Sequence, residues 1–78
     1  MNEITVLSFG AIADIIGKHN FVVNDVASTD ELKNKLETEF PRLKTISYTL
    51  AVDKKMIMAS TPLSNNATVA LLPPFSGG

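Results

Sequence analysis

The stretch that decides the fold is Ser28-Thr29-Asp30-Glu31-Leu32-Lys33-Asn34-Lys35-Leu36-Glu37-Thr38-Glu39-Phe40-Pro41. Its first four residues have the form of a capping box, in which the Ser28 hydroxyl accepts from the Glu31 amide and Glu31 reaches back to the Ser28 amide. Leu32, Leu36 and Phe40 recur at i, i+4, i+8 and make one apolar stripe, so this helix has a single face to bury. Glu31 and Lys35 stand in the favourable order for an i,i+4 pair, ~0.2–0.5 kcal/mol. Pro41 stops the helix, because the residue before a proline is pushed out of the helical region.

On the N-terminal side, Ile4-Thr5-Val6-Leu7-Ser8-Phe9 is β-branched, aromatic and partly alternating, which predicts a strand ended by Gly10. Ala11 to Ile16 predicts a short helix with Ile12, Ile15 and Ile16 on one side and Gly17 closing it. Phe21-Val22-Val23 predicts a second strand returning beside the first, with Asn20 and Asn24 as flanking turn residues. On the C-terminal side, Tyr48, Leu50 and Val52 alternate as a half-buried strand. Asp53-Lys54-Lys55 then makes a charged turn, and Met56-Ile57-Met58-Ala59 a short strand. Pro62 and Leu63 lie in a connection, and Asn65-Asn66 is a turn pair tolerant of positive φ. Ala67 to Leu72 is apolar apart from Thr68, which fits a central strand or one covered on both faces. Strand, short helix, strand, long helix and three more strands predict an α+β fold, one sheet face lying under the long helix.

Seventy-eight residues, 45% of them hydrophobic, make one domain spanning 1–78, with 73–78 as a protruding tail. There is no cysteine, so the chain supplies no disulfide, thiolate nucleophile or thiolate metal site, and a reducing cytoplasm is the expected setting. Met1-Asn2-Glu3 has no signal-peptide character, and no apolar run approaches the ~20 residues of a membrane helix. A net charge of −1 argues against nucleic acid as the partner. After Lys55 no side chain is charged up to the carboxylate of Gly78, whereas surfaces normally mix both signs. Part of that half must be core, and the remainder has the character of a docking surface.

Pro73-Pro74-Phe75-Ser76-Gly77-Gly78 cannot continue a sheet. Two prolines lack amide donors and favour the polyproline conformation, so the chain is expected to leave the body as a stiff stalk. Six extended residues reach roughly 20 Å at ~3.3–3.6 Å each, enough to carry a carboxylate into a pocket of another protein. Glycine at 77 and 78 removes both side chains, so the end can thread a narrow channel. Frayed terminal residues are the bland alternative. At a glycine usage of ~7%, however, two terminal glycines arise by chance in about one chain in two hundred. The prolines and Phe75 before them add to that. Phe75 on such a tail fits an interface anchor better than core.

The ending Val69-Ala70-Leu71-Leu72-Pro73-Pro74-Phe75-Ser76-Gly77-Gly78 closely resembles that of the small, sulfur-carrying subunit of molybdopterin synthase, in the ubiquitin-like group of sulfur carriers. Val6-Leu7-Ser8-Phe9-Gly10-Ala11 with Ile15-Ile16-Gly17 resembles that family's first strand and helix, and Leu50-Ala51-Val52-Asp53 and Thr61-Pro62-Leu63 have counterparts in it. Ala13 stands where many members have arginine, Asp53 where asparagine is common, and Asn65-Asn66-Ala67-Thr68 where an acidic turn is frequent. The resemblance implies a β-grasp (ubiquitin-like) fold, with first and last strands side by side. It also implies that Gly78 is adenylated with ATP by an E1-like adenylyltransferase and converted to a thiocarboxylate, a 1-thioglycine. With no cysteine in the chain, the sulfur comes from a separate sulfur-donating enzyme. The carrier would then plug into the large catalytic subunit, forming a heterotetramer, and give sulfur to cyclic pyranopterin monophosphate. On this reading the chain binds no cofactor or metal of its own, and the active site is on the large subunit. Pro73, Pro74, Phe75, Ser76 and Gly77 would be the partner-binding tail.

Other chemistry is sparse. His19, the one histidine, sits in a polar turn and reads as solvated, and a lone histidine without cysteine makes no zinc site. Glu37 and Glu39 read as solvated charges, Met56 and Met58 as core or interface filling, and Lys54 and Lys55 as a turn. Three further function classes stand beside the first. A thiamine-pathway sulfur carrier would change the recipient, and that family lacks the proline pair. A ubiquitin-like modifier would join Gly78 to lysines of other proteins. An interaction module with an inert tail would leave the tail features unexplained.

Overall fold

The computed structural model describes residues 2–57 and 59–73. β1 (Glu3–Ser8), α1 (Gly10–Ile16), β2 (Asn20–Asn24) and α2 (Thr29–Glu39) are followed by a 3₁₀ turn at Pro41–Thr45, then β3 (Thr49–Val52), β4 (Lys55–Met56) and β5 (Thr68–Leu72). The five strands form one sheet in the order β2-β1-β5-β3-β4. β5 runs parallel to β1, Val6 beside Val69 and Ser8 beside Leu71, while every other pairing is antiparallel. This is the β-grasp arrangement, with the first and last strands adjacent.

The period-2 alternation of the strands and the single stripe of α2 meet in one core. Ile4, Val6, Val69 and Leu71 of the inner sheet face are fully buried with Leu32 and Leu36 of α2, and Ile12 and Leu43 belong to the same cluster. Each such side chain contributes ~1.5–3 kcal/mol through removal of apolar surface from water. Phe40, third in the stripe, is only half-buried, because the chain leaves the helix there to start the 3₁₀ turn. That turn has no counterpart in the sequence reading. Pro41 occupies its first position, where the missing amide costs nothing, and Leu43 is carried into the core.

The helix ends behave as their residues dictate, with two corrections. Ser28 Oγ accepts from the Glu31 amide at 3.3 Å, but the Glu31 carboxylate takes the Ala27 amide at 3.0 Å, one residue earlier than a capping box requires. Lys35 does not pair with Glu31 either, for its ammonium donates to the Asn24 carbonyl at 3.2 Å. The N-terminus of α2 is further held by Thr29, buried, whose hydroxyl accepts from the Thr61 amide at 2.9 Å. Gly17 closes α1 with φ +84° and donates its amide to the Ala13 carbonyl, the left-handed cap a glycine favours. Asn2 staples β1 to the loops beneath: its amide nitrogen donates to the Val26 and Leu63 carbonyls, and its oxygen accepts from the Val26 amide.

Glu37 is a third correction. It is half-buried and accepts from the Tyr48 hydroxyl at 2.5 Å, so it is not a simple solvated charge. The pair ties α2 to the chain entering β3, and Lys33 lies 5.6 Å from the Tyr48 ring centre on the same side. β4 is shorter than the expected strand, at Lys55–Met56, and Met58 lies outside the described residues.

Candidate functional site

β5 is the spine of the site. Its amide and carbonyl groups are taken on one side by β1 and on the other by β3, so the strand that leads to the C-terminal end is the central one of the five. Val69 and Leu71 anchor it in the core, while Thr68, Ala70 and Leu72 alternate to the opposite face. The apolar run from Ala67 thus marks a central strand, and not one covered on both faces.

At the exit, Leu72 lies opposite Thr49, and Pro73, half-buried, comes next. The Pro73 ring packs on Gly10, where a Cβ would stand 3.4 Å from the ring. Gly10 holds φ +56°, a conformation in which a side chain is strained, and so turns the chain sharply from β1 into α1 beside the departing β5. Ser8, directly before this turn, is buried opposite Leu71, and its hydroxyl donates to the Lys18 carbonyl. Pro73 is the one predicted tail residue within the description. Pro74, Phe75, Ser76, Gly77 and Gly78 lie outside the described residues.

Around this exit the open sheet face carries no charge. Leu7, Ala70, Leu72 and Ala51 form its centre, Thr5, Thr49 and Thr68 lie between them, and Val22 and Met56 stand on the two flanks, 53% and 57% exposed. Glu3 and the Asp53-Lys54 turn lie at the far end of the same sheet, away from Pro73. Such a face, half-apolar and neutral, suits contact with another protein better than prolonged exposure to water. The charge-free sequence after Lys55 signalled part of it. Leu7 and Val22 carried no such signal, since their membership depends on register across β1 and β2.

His19 is exposed near the start of β2, and among the described residues no three His, Cys, Asp or Glu side chains gather to hold a metal. No described helix is long and apolar enough to cross a membrane.

Comparison with known proteins agrees with this architecture. Residues 6–78 match the ThiS family. Small archaeal modifier protein 1 from Methanosarcina acetivorans superposes with a TM-score of 0.85 at 20% identity, covering 100% of this chain and 98% of that one. Small archaeal modifier protein 1 from Haloferax volcanii gives 0.81 at 17%, covering 99% and 100%. A complex of subunits 1 and 2 of the molybdopterin-converting factor from Helicobacter pylori contains a chain matching with 0.74 at 26%, covering 97% and 99%.

Proposed function

The chain belongs to the ThiS family, and from that premise we propose that it is a sulfur carrier whose reactive group is the carboxylate of Gly78. The observation that carries the reading is that the family match runs through Gly77-Gly78 while β5, the strand leading there, is fixed in the centre of the sheet. A rigid body thus supports a terminal segment able to enter a partner.

The carboxylate, pKa ~3.3–3.7, is ionised at neutral pH and is a poor electrophile. Its oxygen attacks the α-phosphorus of ATP in an E1-like partner, pyrophosphate leaves, and an acyl-adenylate forms. Hydrosulfide released by a sulfur-donating enzyme attacks the acyl carbon, the bond to AMP breaks, a proton is lost, and Gly78 becomes a thiocarboxylate. The recipient is cyclic pyranopterin monophosphate, held by a large catalytic subunit, and two donations build the dithiolene of molybdopterin. The open sheet face and the Pro73–Gly77 segment form the contact with that subunit. The pairing of subunits 1 and 2 in the Helicobacter pylori complex supports this choice of partner, and Pro73-Pro74 favours it over the thiamine-pathway alternative.

A second reading, a modifier joined through Gly78 to target lysines, draws on the likeness to the archaeal modifier proteins. It shares the adenylation step and differs in the nucleophile. The test is the intact mass of the chain after incubation with ATP, a sulfur source and the cognate activating enzyme, followed by addition of the large subunit and the pterin. Exchange of one oxygen for sulfur and formation of molybdopterin are expected. Thiocarboxylate without molybdopterin would overturn the recipient, and lysine-linked conjugates without thiocarboxylate would favour the modifier.

A further inference from the structure

The two edges of the sheet are not alike. β4 is two residues long and follows a tight turn, so it offers little to a pairing strand. β2 is five residues long, with no proline, and among the described residues its outer side is the longer unpaired edge. Unpaired edges of this kind are templates for another strand unless they are blocked.

The register fixes which β2 groups face outward. The Asp25 amide donates to the Asn2 carbonyl and the Ser8 amide to the His19 carbonyl. These are the bonded pairs of the β1–β2 ladder, in which Ile4 lies opposite Val23 and Val6 opposite Phe21. Alternation along an antiparallel pair then turns the amides and carbonyls of Asn20, Val22 and Asn24 away from β1. The Lys35 ammonium already takes the Asn24 carbonyl. Asn20 and Val22 keep both groups directed outward.

Beside that edge, between β2 and α2, runs a cleft of about 260 Å³. Ile16, Phe21 and Phe40 give it an apolar floor, and Lys18, Lys35 and Glu39 stand around it. Lys18 lies 6.0 Å from the Phe21 ring centre. In a chain whose net charge is −1, two ammonium groups against one carboxylate make this a locally positive rim. A strand laid along β2 would point alternate side chains into the cleft and leave its ends near the lysines.

We infer that the β2 edge is a second docking surface, distinct from the open sheet face, for an extended peptide with alternating apolar residues and an acidic flank. Its backbone pairs with Asn20 and Val22, its apolar side chains cover Ile16, Phe21 and Phe40, and its carboxylates meet Lys18 and Lys35. This is strand addition, with affinity from main-chain bonds and selectivity from the cleft and its charge.

The probe is the blocked hexapeptide acetyl-Asp-Glu-Val-Ile-Val-Ile-amide, titrated into the full isotope-labelled chain and followed by amide resonances. Saturable shifts centred on residues 18–24 and on Lys35 are expected. Exchanging the two acids of the peptide for lysines, or the Lys18→Glu, Lys35→Glu double variant of the protein, should weaken binding about tenfold. A peptide with proline at the second valine should lose binding, since it lacks a ladder amide. Shifts confined to the open face around Leu7, Ala70 and Met56, or no saturable shifts at all, would overturn the proposal. Equal binding of the lysine peptide would do the same. Concentration-dependent shifts in β2 without any peptide would overturn it in favour of a second copy of the chain as the occupant.

Discussion

At the scale of single residues, what holds the molecule together is a small set of fully buried side chains and a few side-chain bonds between distant segments. Leu36, 1% exposed, packs among Leu32, Val6 and Leu71 in the core cluster. Leu36→Ala should cost ~2–5 kcal/mol, a large part of the stability of a domain this size, read as a fall in the urea midpoint at unchanged slope. Tyr48 gives a prediction in pH. Burial first, then the hydrogen bond and the charge of Glu37, push its hydroxyl well above the ordinary value of 10.0. A group whose folded pKa is raised stabilises the fold fully below its unfolded pKa and loses that contribution as pH rises. Stability should therefore decline above pH ~10 as the unfolded chain releases a proton that the folded chain keeps. Tyr48→Phe should lack this component of the decline when unfolding is measured across that range. Tyr48 is the one tyrosine, so its ionisation can be followed directly by absorbance. Leu36 was readable from helical spacing alone. Glu37 was not, because nothing local distinguishes a solvated glutamate from one facing a tyrosine eleven positions on.

At the scale of elements, local chemistry decided boundaries wherever a residue type admits one conformation. Gly17 closes α1 and Pro41 ends α2, and both were legible in the sequence. Where the partner lies elsewhere in the chain, the local reading slipped: Glu31 and Lys35 abandon each other for Ala27 and Asn24, because tertiary neighbours offer carbonyl and amide groups within reach. The β3–β4 hairpin is the clearest case of an element under strain. Asp53 and Lys54 hold φ +48° and +74°, the consecutive positive values of a two-residue hairpin turn that favours Asn-Gly. Asp53 is compensated, since its carboxylate accepts from the Thr68 amide at 3.0 Å and its own amide donates to the Thr68 carbonyl. Lys54 has a plain side chain in a region that costs L-residues ~1–2 kcal/mol. Lys54→Gly should stabilise the domain by ~0.5–1 kcal/mol, the relief of strain less the added freedom of the unfolded chain. Asp53→Ala should instead destabilise it, since a left-handed residue would lose its bond to β5. Thermal unfolding of the two variants tests both signs.

At the scale of the whole molecule, the sheet buries one face in the core and leaves the other open. Among the described residues, those that make the core run from Ile4 to Leu71, and the exposed Val22 and Met56 of the open face lie outside it. While the apolar run of β5 left a central strand and one covered on both faces equally open, the strand content and the long helix were readable from pattern. The sheet order was not, because a parallel pairing of Val6 with Val69 leaves no local trace and followed only from family resemblance. The proposed chemistry is testable by variants outside the described core. Removing Gly78 moves the terminal carboxylate back by about 3.5 Å, and a reaction that depends on held geometry does not tolerate a displacement of that size. Under the proposed function, the shortened chain should unfold at the same urea concentration as the parent, since every residue of the described core is kept. Its adenylation and thiocarboxylate formation should collapse together, because both need the same displaced carboxyl group. Phe75→Ala separates binding from chemistry. It keeps Gly78 in place, so any loss should fall on affinity for the large subunit, ~2 kcal/mol or more if the ring is an anchor, with the thiocarboxylate still formed. A chain lacking Gly78 that gains sulfur at the parent's rate would show that the terminus is not the carrier, whatever the fold.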